Sequence, residues 1–277
     1  MNKRIAQLSV YFKKNFRLFM NQKNWKFIVI AAVISFLVCS IVGKNMYKTF
    51  EDTQSGFFAI TSAAIWVGIF NSIQRICKEH NTIASEYRSG LHISSYILSH
   101  VLFDFFVCLC QAAILMGICC AFIDFPSEGT LFAAIPEYFI TLLLIIWGAD
   151  IMGIMVSSVS SNPNVAMTAM PFVLILQLVM SGVLFKLEGW SEAIANITYS
   201  KWGMSALGST ADLNNGKSLP SRINEVDPMF ANFKREYIEM YESEAGTILA
   251  AWGMIVLISA VCIVISILSL KFRNRNS

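Results

Sequence analysis

"RICKEHNTIASEYRSGLHISSYILSH", residues 75–100, holds all three histidines of the chain and five further charged residues. Charge-free apolar runs close in on both sides, residues 53–74 before it and 105–123 after it. A helix needs about 20 apolar residues to cross a bilayer. A polar hairpin between two runs of that length reads as a turn at a membrane surface, and that reading decides the fold class.

Four more charge-free runs lie outward from the hairpin: residues 27–43, 138–149, 151–185 and 245–270. The segment "SSVSSNPNV" (157–165) breaks the long stretch from 138 to 185 into two spans. Six spans result. Hydrophobic residues make up 56% of the 277 and charged residues only 14%, against about 25% charged in soluble domains. Together with a mean hydropathy of +0.59, this excludes a soluble enzyme. The expected architecture is an all-α membrane protein: an amphipathic interfacial helix (1–26), a six-span domain (27–270) and a short tail (271–277). Within the domain lie the polar hairpin (76–96) and an external, partly re-entrant segment before the last span (186–246).

Charge sets the orientation. The first 26 residues carry seven Lys or Arg and no acid, and "KFRNRNS" at the far end adds three more bases. The loop at 44–56 is balanced, and the one at 124–137 has three acids and no base. By the positive-inside rule both termini and the hairpin are cytoplasmic, in the cell membrane. In the first segment Ile5, Leu8, Tyr11, Phe12, Phe16, Phe19 and Met20 recur at helical spacing, which predicts a helix lying on the inner leaflet.

Enzyme chemistry has no visible seat. The histidines lack HxxxH or HExxH spacing. "ADLNNGKS" (211–218) ends like a P-loop but has Ala211 where the first glycine belongs. The seven cysteines fall in or beside the spans, without a disulfide framework or a zinc-like CxxC. Asp104 and Asp150 are intramembrane acids, each costly to bury unless paired or hydrated; they read as a proton relay or as structural acids bonded to hydroxyls, and no intramembrane Lys or Arg is expected beside them.

"FNSIQRICKEHNTIASEYRSGLHISSYILSHVLFD" (70–104) resembles the second span, coupling helix and start of the third span of ABC-2 type transport permeases, above all the ABCG (White) subfamily. The family's Lys-Glu-Arg run and the Glu seven residues on correspond to Lys78, Glu79 and Glu86, with His80 in place of the usual Arg. "SSVSSNPNVAMTAMPFVLILQLVMSGVLFKLEGWSEAIANITYSKWGMSAL" (157–207) is similar to the fifth span and the external segment that follows it. With the amphipathic start, the resemblance covers nearly the whole chain.

The resemblance implies a transport subunit that is not itself an enzyme. It binds no cofactor directly; ATP and Mg sit on an ATP-binding subunit, expected on a separate chain because no ATPase domain flanks the spans. Lys78, Glu79, Glu86 and Arg88 would meet that subunit. A second permease chain, identical or homologous, would complete a cavity lined by Ser62, Ile65, Pro171, Ile175 and Leu178, closed outward by a plug at Val183 and Leu184. Such an apolar cavity suits a hydrophobic or amphipathic drug, lipid or peptide, and not nucleic acid. Alternatives remain open: a polysaccharide or teichoic-acid exporter, an ion-coupled transporter using Asp104 and Asp150, or a membrane anchor that recruits a partner through the hairpin.

Overall fold

A computed structural model describes residues 3–21, 25–214 and 238–275. Its helices, in chain order, are α1 (Lys3–Asn21), α2 (Lys26–Val42), α3 (Phe50–Ser72), α4 (Arg75–Lys78), α5 (His80–Arg88), α6 (Ile93–Phe122), α7 (Ala134–Val159), α8 (Pro163–Val179), α9 (Trp190–Ala195), α10 (Tyr199–Thr210) and α11 (Ala245–Arg275), with a 3-10 turn at Glu239–Tyr241. The expected all-α architecture holds among the described residues.

Four segments are long and apolar enough to cross a membrane: Phe50–Lys78, Ile93–Phe122, Ala134–Val159 and Ala245–Arg275. A fifth passes only if α2 is counted together with the bent α1. α8, with 17 residues, extends about 26 Å at 1.5 Å per residue, short of a bilayer core of about 30 Å. By length and composition the described residues thus show four to five candidate spans. α11 runs on through Arg275, into the expected tail at 271–277. Of the expected external segment, residues 215–237 lie outside the described residues, and these include residues 215–218 of the P-loop-like stretch.

Local chemistry marks where the helices begin. Thr49 Oγ1 accepts the Asp52 N–H at 3.1 Å, with Glu51 and Asp52 in the first turn of α3, where acids offset the helix dipole. Asn162 caps α8 by accepting the Val165 N–H at 3.0 Å, and Pro163 takes the first helical position, where its missing N–H costs nothing. In the first turn of α7, the buried Glu137 carboxylate accepts three backbone N–H groups from the loop before it, Thr130 at 3.2 Å, Leu131 at 2.5 Å and Phe132 at 2.7 Å.

The centre of the molecule is the seam between α3 and α7. Gly68 makes it possible: a Cβ there would strike the Ile146 carbonyl and lie 2.8 Å from the Ala149 Cβ, so the two backbones approach as only a small residue permits. Ile65, Ile69, Ile145, Ile146, Ile151 and Ile154, on these two helices, are all buried. α10 is almost wholly buried too, packed against α3, α7 and α11. α1 lies along α6, where Tyr11 meets Tyr96 edge-on at 5.6 Å and Phe12 and Phe19 meet Phe103 at 5.9 and 5.7 Å. Asn15 and Leu18 complete that packed face, whereas Ile5, Phe16 and Met20 are exposed.

Candidate functional site

α4 and α5 build the hairpin between two of the long helices. α5 ends because Gly90 adopts φ +98°, a conformation open to glycine. Leu91 N–H then reaches the Glu86 carbonyl at 3.0 Å and Gly90 N–H the Tyr87 carbonyl at 3.1 Å, the paired bonds of a Schellman cap. Ile83, 1% exposed, anchors the underside.

The two acids expected to meet a partner face inward. Glu86 accepts from the Tyr11 hydroxyl at 2.8 Å and from Lys14 Nζ at 3.3 Å. Glu79 accepts from the Tyr96 hydroxyl at 2.8 Å, with Lys14 Nζ 4.0 Å away. Gln7 clasps the end of the hairpin, donating to the Gly90 carbonyl at 2.9 Å and accepting the His92 N–H at 3.1 Å. α1 is thus tied to the hairpin at three points. The exposed face carries Lys78, Asn81, Thr82, Ser85, Arg88 and Ser89. It is basic and hydroxylic, with no acid.

α11 touches the hairpin from the other side. Arg273 Nη1 donates to the Ser160 carbonyl at 3.0 Å and stands 3.0 Å from His80 Nε2. Burial, and then the neighbouring Arg273 charge, hold the His80 imidazole below the ordinary histidine value, so the neutral ring is favoured.

Arg75 departs most from its expected role. It opens the polar stretch in sequence, yet its guanidinium turns inward, ion-paired with Asp104 and donating to the Asn71 carbonyl at 3.0 Å. Asp104 and Asp150 are 1% and 0% exposed, and Asp150 lies close enough to Arg75 and Asp104 to interact with both. The expectation that these acids lack an intramembrane cation is therefore corrected. α4 prolongs the apolar run of α3 by one turn, with Ile76 and Cys77 buried, and carries Arg75 in with it. The Asp150 carboxylate also makes no hydrogen bond to Ser157, whose hydroxyl instead serves Cys77.

The cavity-lining candidates separate. On α8, Pro171 and Ile175 are exposed and Leu178 half-buried, beside exposed Phe172 and Leu176. On α3, Ser62 is half-buried on the same open stripe as Trp66, but Ile65 is 1% exposed within the α3–α7 seam. One residue is about 100° of helix, which exchanges Ile65 for Trp66. At the expected plug, Val183 packs against the core and Leu184 is exposed. The open stripes of α3 and α8 form an apolar face with no cover among the described residues.

The family model for the ABC-2 type transporter matches residues 6–210, from α1 through α10. The chain belongs to the ABC-2 type transporter family. No curated protein matches it. Membership makes the protein a multi-pass ABC permease, a transport subunit, and implies an ATP-binding partner subunit.

Several residues that organise this permease escaped the sequence reading. Tyr11, Lys14 and Gln7 were placed on an amphipathic helix by spacing alone, which shows which side is apolar but not what the polar side grips. Gln177, one polar residue in an apolar span, is 3% exposed, accepts the Ser200 N–H at 3.1 Å, and its backbone carbonyl accepts from the Ser200 hydroxyl. These bonds hold α8 to α10. Polar atoms of this kind inside an apolar run are themselves a signal, because each needs a partner.

Proposed function

We propose that this permease is the membrane half of an ATP-driven exporter related to the ABCG group. In this reading two permease chains face each other through the open stripes of α3 and α8, six spans each, with both termini cytoplasmic. Each hairpin docks on an ATP-binding subunit that carries ATP and Mg. Nucleotide binding biases a two-state rocking of the pair, and a hydrophobic or amphipathic drug, lipid or peptide leaves past Val183 and Leu184. Pro171, Ile175, Leu178 and Ser62 line the path; Trp66 replaces Ile65.

One observation carries the reading: a hairpin braced by α1 through Glu79 and Glu86 that presents Lys78 and Arg88 outward. A loop that only obeyed the positive-inside rule would need no such bracing. Rigid bracing suits a part that must transmit force, because a loose hairpin would absorb the partner's movement. The outward bases call for acidic groups on the ATP-binding subunit.

Co-purification tests it. The permease is isolated from its native membrane in mild detergent, with and without the pair Lys78→Glu and Arg88→Glu. Recovery of an ATP-binding subunit with the wild type, reduced several-fold in the double variant, supports docking on this face. Equal recovery with both shows that the face does not dock.

A further inference from the structure

The cluster around Arg75 leaves buried hydrogen-bond acceptors without a donor. Four carboxylate oxygens, from Asp104 on α6 and Asp150 on α7, share one guanidinium, and Arg75 binds Asp104. Asp104 Oδ2 and both carboxylate oxygens of Asp150 are buried without a hydrogen-bond donor among the described residues. Nearby donors are already used. Asn71 and Gln111 bond each other at 2.8 and 3.0 Å, and the Ser72 hydroxyl donates to the backbone carbonyl of Asp150. The facing charged and titratable groups are Arg75 from α4 with Glu79 just beyond it, Tyr96, His100 and Cys108 from α6, and Lys14 more distantly from α1. Near the cluster α3 offers the uncharged Asn71 and Ser72.

Two buried acids with one paired cation leave a net negative charge inside the bundle, where ionised groups are costly. Acceptors facing acceptors need a hydrogen between them. No group of three or more His, Cys, Asp or Glu side chains suited to a metal ion is found among the described residues, so the missing positive charge is small.

The geometry points to a proton-binding site: Asp150 carries one proton and donates it toward Asp104, whose other oxygen is held by Arg75. Water supplies the proton. A cavity of 40 Å³ between α1 and α6 is lined by Asn15, Arg75, Glu79 and His100, which is room enough for water. Asn15 Nδ2 and both His100 ring nitrogens are buried there without partners, as a hydrated pocket requires. The proton therefore sits where the base of the hairpin meets the bundle, and any shift of α4 that draws Arg75 away alters the charge that the acids must balance.

Infrared spectroscopy of the purified full-length permease tests the site without any transport activity. The wild type at neutral pH is expected to show the carbonyl stretch of a protonated carboxylic acid, shifted in deuterated water. That band is lost in Asp150→Asn, lost in Asp104→Asn because Asp150 then pairs with Arg75 in ionised form, and kept in His100→Gln. A band absent from the wild type, unchanged in Asp150→Asn, or lost in His100→Gln overturns the assignment. Thermal melting gives a second readout, since an amide supplies the hydrogen that the proton supplied. Asp150→Asn is expected to melt at or above the wild-type temperature, and a variant that melts lower or fails to fold refutes a protonated Asp150.

Discussion

Tyr11 and Glu86 sit on different helices 75 residues apart and meet through a 2.8 Å hydrogen bond from the tyrosine hydroxyl to the carboxylate. With Lys14 on the other carboxylate oxygen, this bond makes α1 and the hairpin one mechanical piece. Charge-assisted bonds of this type contribute about 1.5–3 kcal/mol when buried. Glu86 keeps 31% of its side-chain exposure, so solvent screening brings the expected contribution down to about 1 kcal/mol.

Tyr11→Phe keeps the ring against Tyr96 and removes only the hydroxyl. The expected loss is about 1 kcal/mol, read as a lower melting temperature, with faster amide exchange confined to α1 and α5. Unchanged exchange in α5 would show that Tyr11 does not brace the hairpin.

Gly90→Ala separates backbone strain from packing. No atom lies within 4 Å of the site of an added Cβ, so nothing clashes, and the cost is that of holding an L-residue at φ +98°, about 1–2 kcal/mol. Amide exchange should rise at Gly90 and Leu91, the two donors of the cap. A variant as stable as the wild type would mean that the hairpin end relaxes freely.

The sequence made the main helices and the polar turn legible because charge and hydropathy alternate on the scale of a bilayer. Side-chain direction was less legible. Arg75 reads as solvent-facing because it abuts Lys78 and Glu79, and only its partner Asp104, 29 residues on, shows that it turns in. α10 carries a mixed composition with Gly203, Ser205 and Gly208, and its burial depends on small residues admitting Ile145 and Tyr241, a fit that periodicity does not reveal. Helical phase is the third gap: a 100° uncertainty exchanged buried Ile65 for exposed Trp66.

His80 gives a pH dependence whose sign follows from its environment. Its folded value is lowered, by burial first and by Arg273 second. The neutral ring therefore contributes stability that is fully present above the ordinary value of about 6.5 and is lost as pH falls through the lowered one. The melting temperature of the wild type is expected to drop as pH falls below about 6.5, and His80→Asn should flatten that part of the profile. A variant with the wild-type slope would assign the acid sensitivity to another group.

Ile65 and Ile175 make a matched pair for the cavity reading, the same side chain in opposite settings. Ile65→Ala removes a buried side chain from the α3–α7 seam and is expected to cost about 2–5 kcal/mol, seen as a large fall in melting temperature. Ile175 is 57% exposed in the single chain, and truncating an exposed residue changes stability by about 0.5 kcal/mol or less. Ile175→Ala should therefore melt like the wild type. If the open face of α8 lines the substrate path, the same variant alters export of hydrophobic cargo, or its stimulation of ATP hydrolysis by the assembled complex, at unchanged protein level. An Ile175→Ala permease that melts normally and transports every tested cargo at the wild-type rate would remove α8 from the path. One that melts several degrees lower only when two chains are associated would instead assign the face to the contact between permease copies.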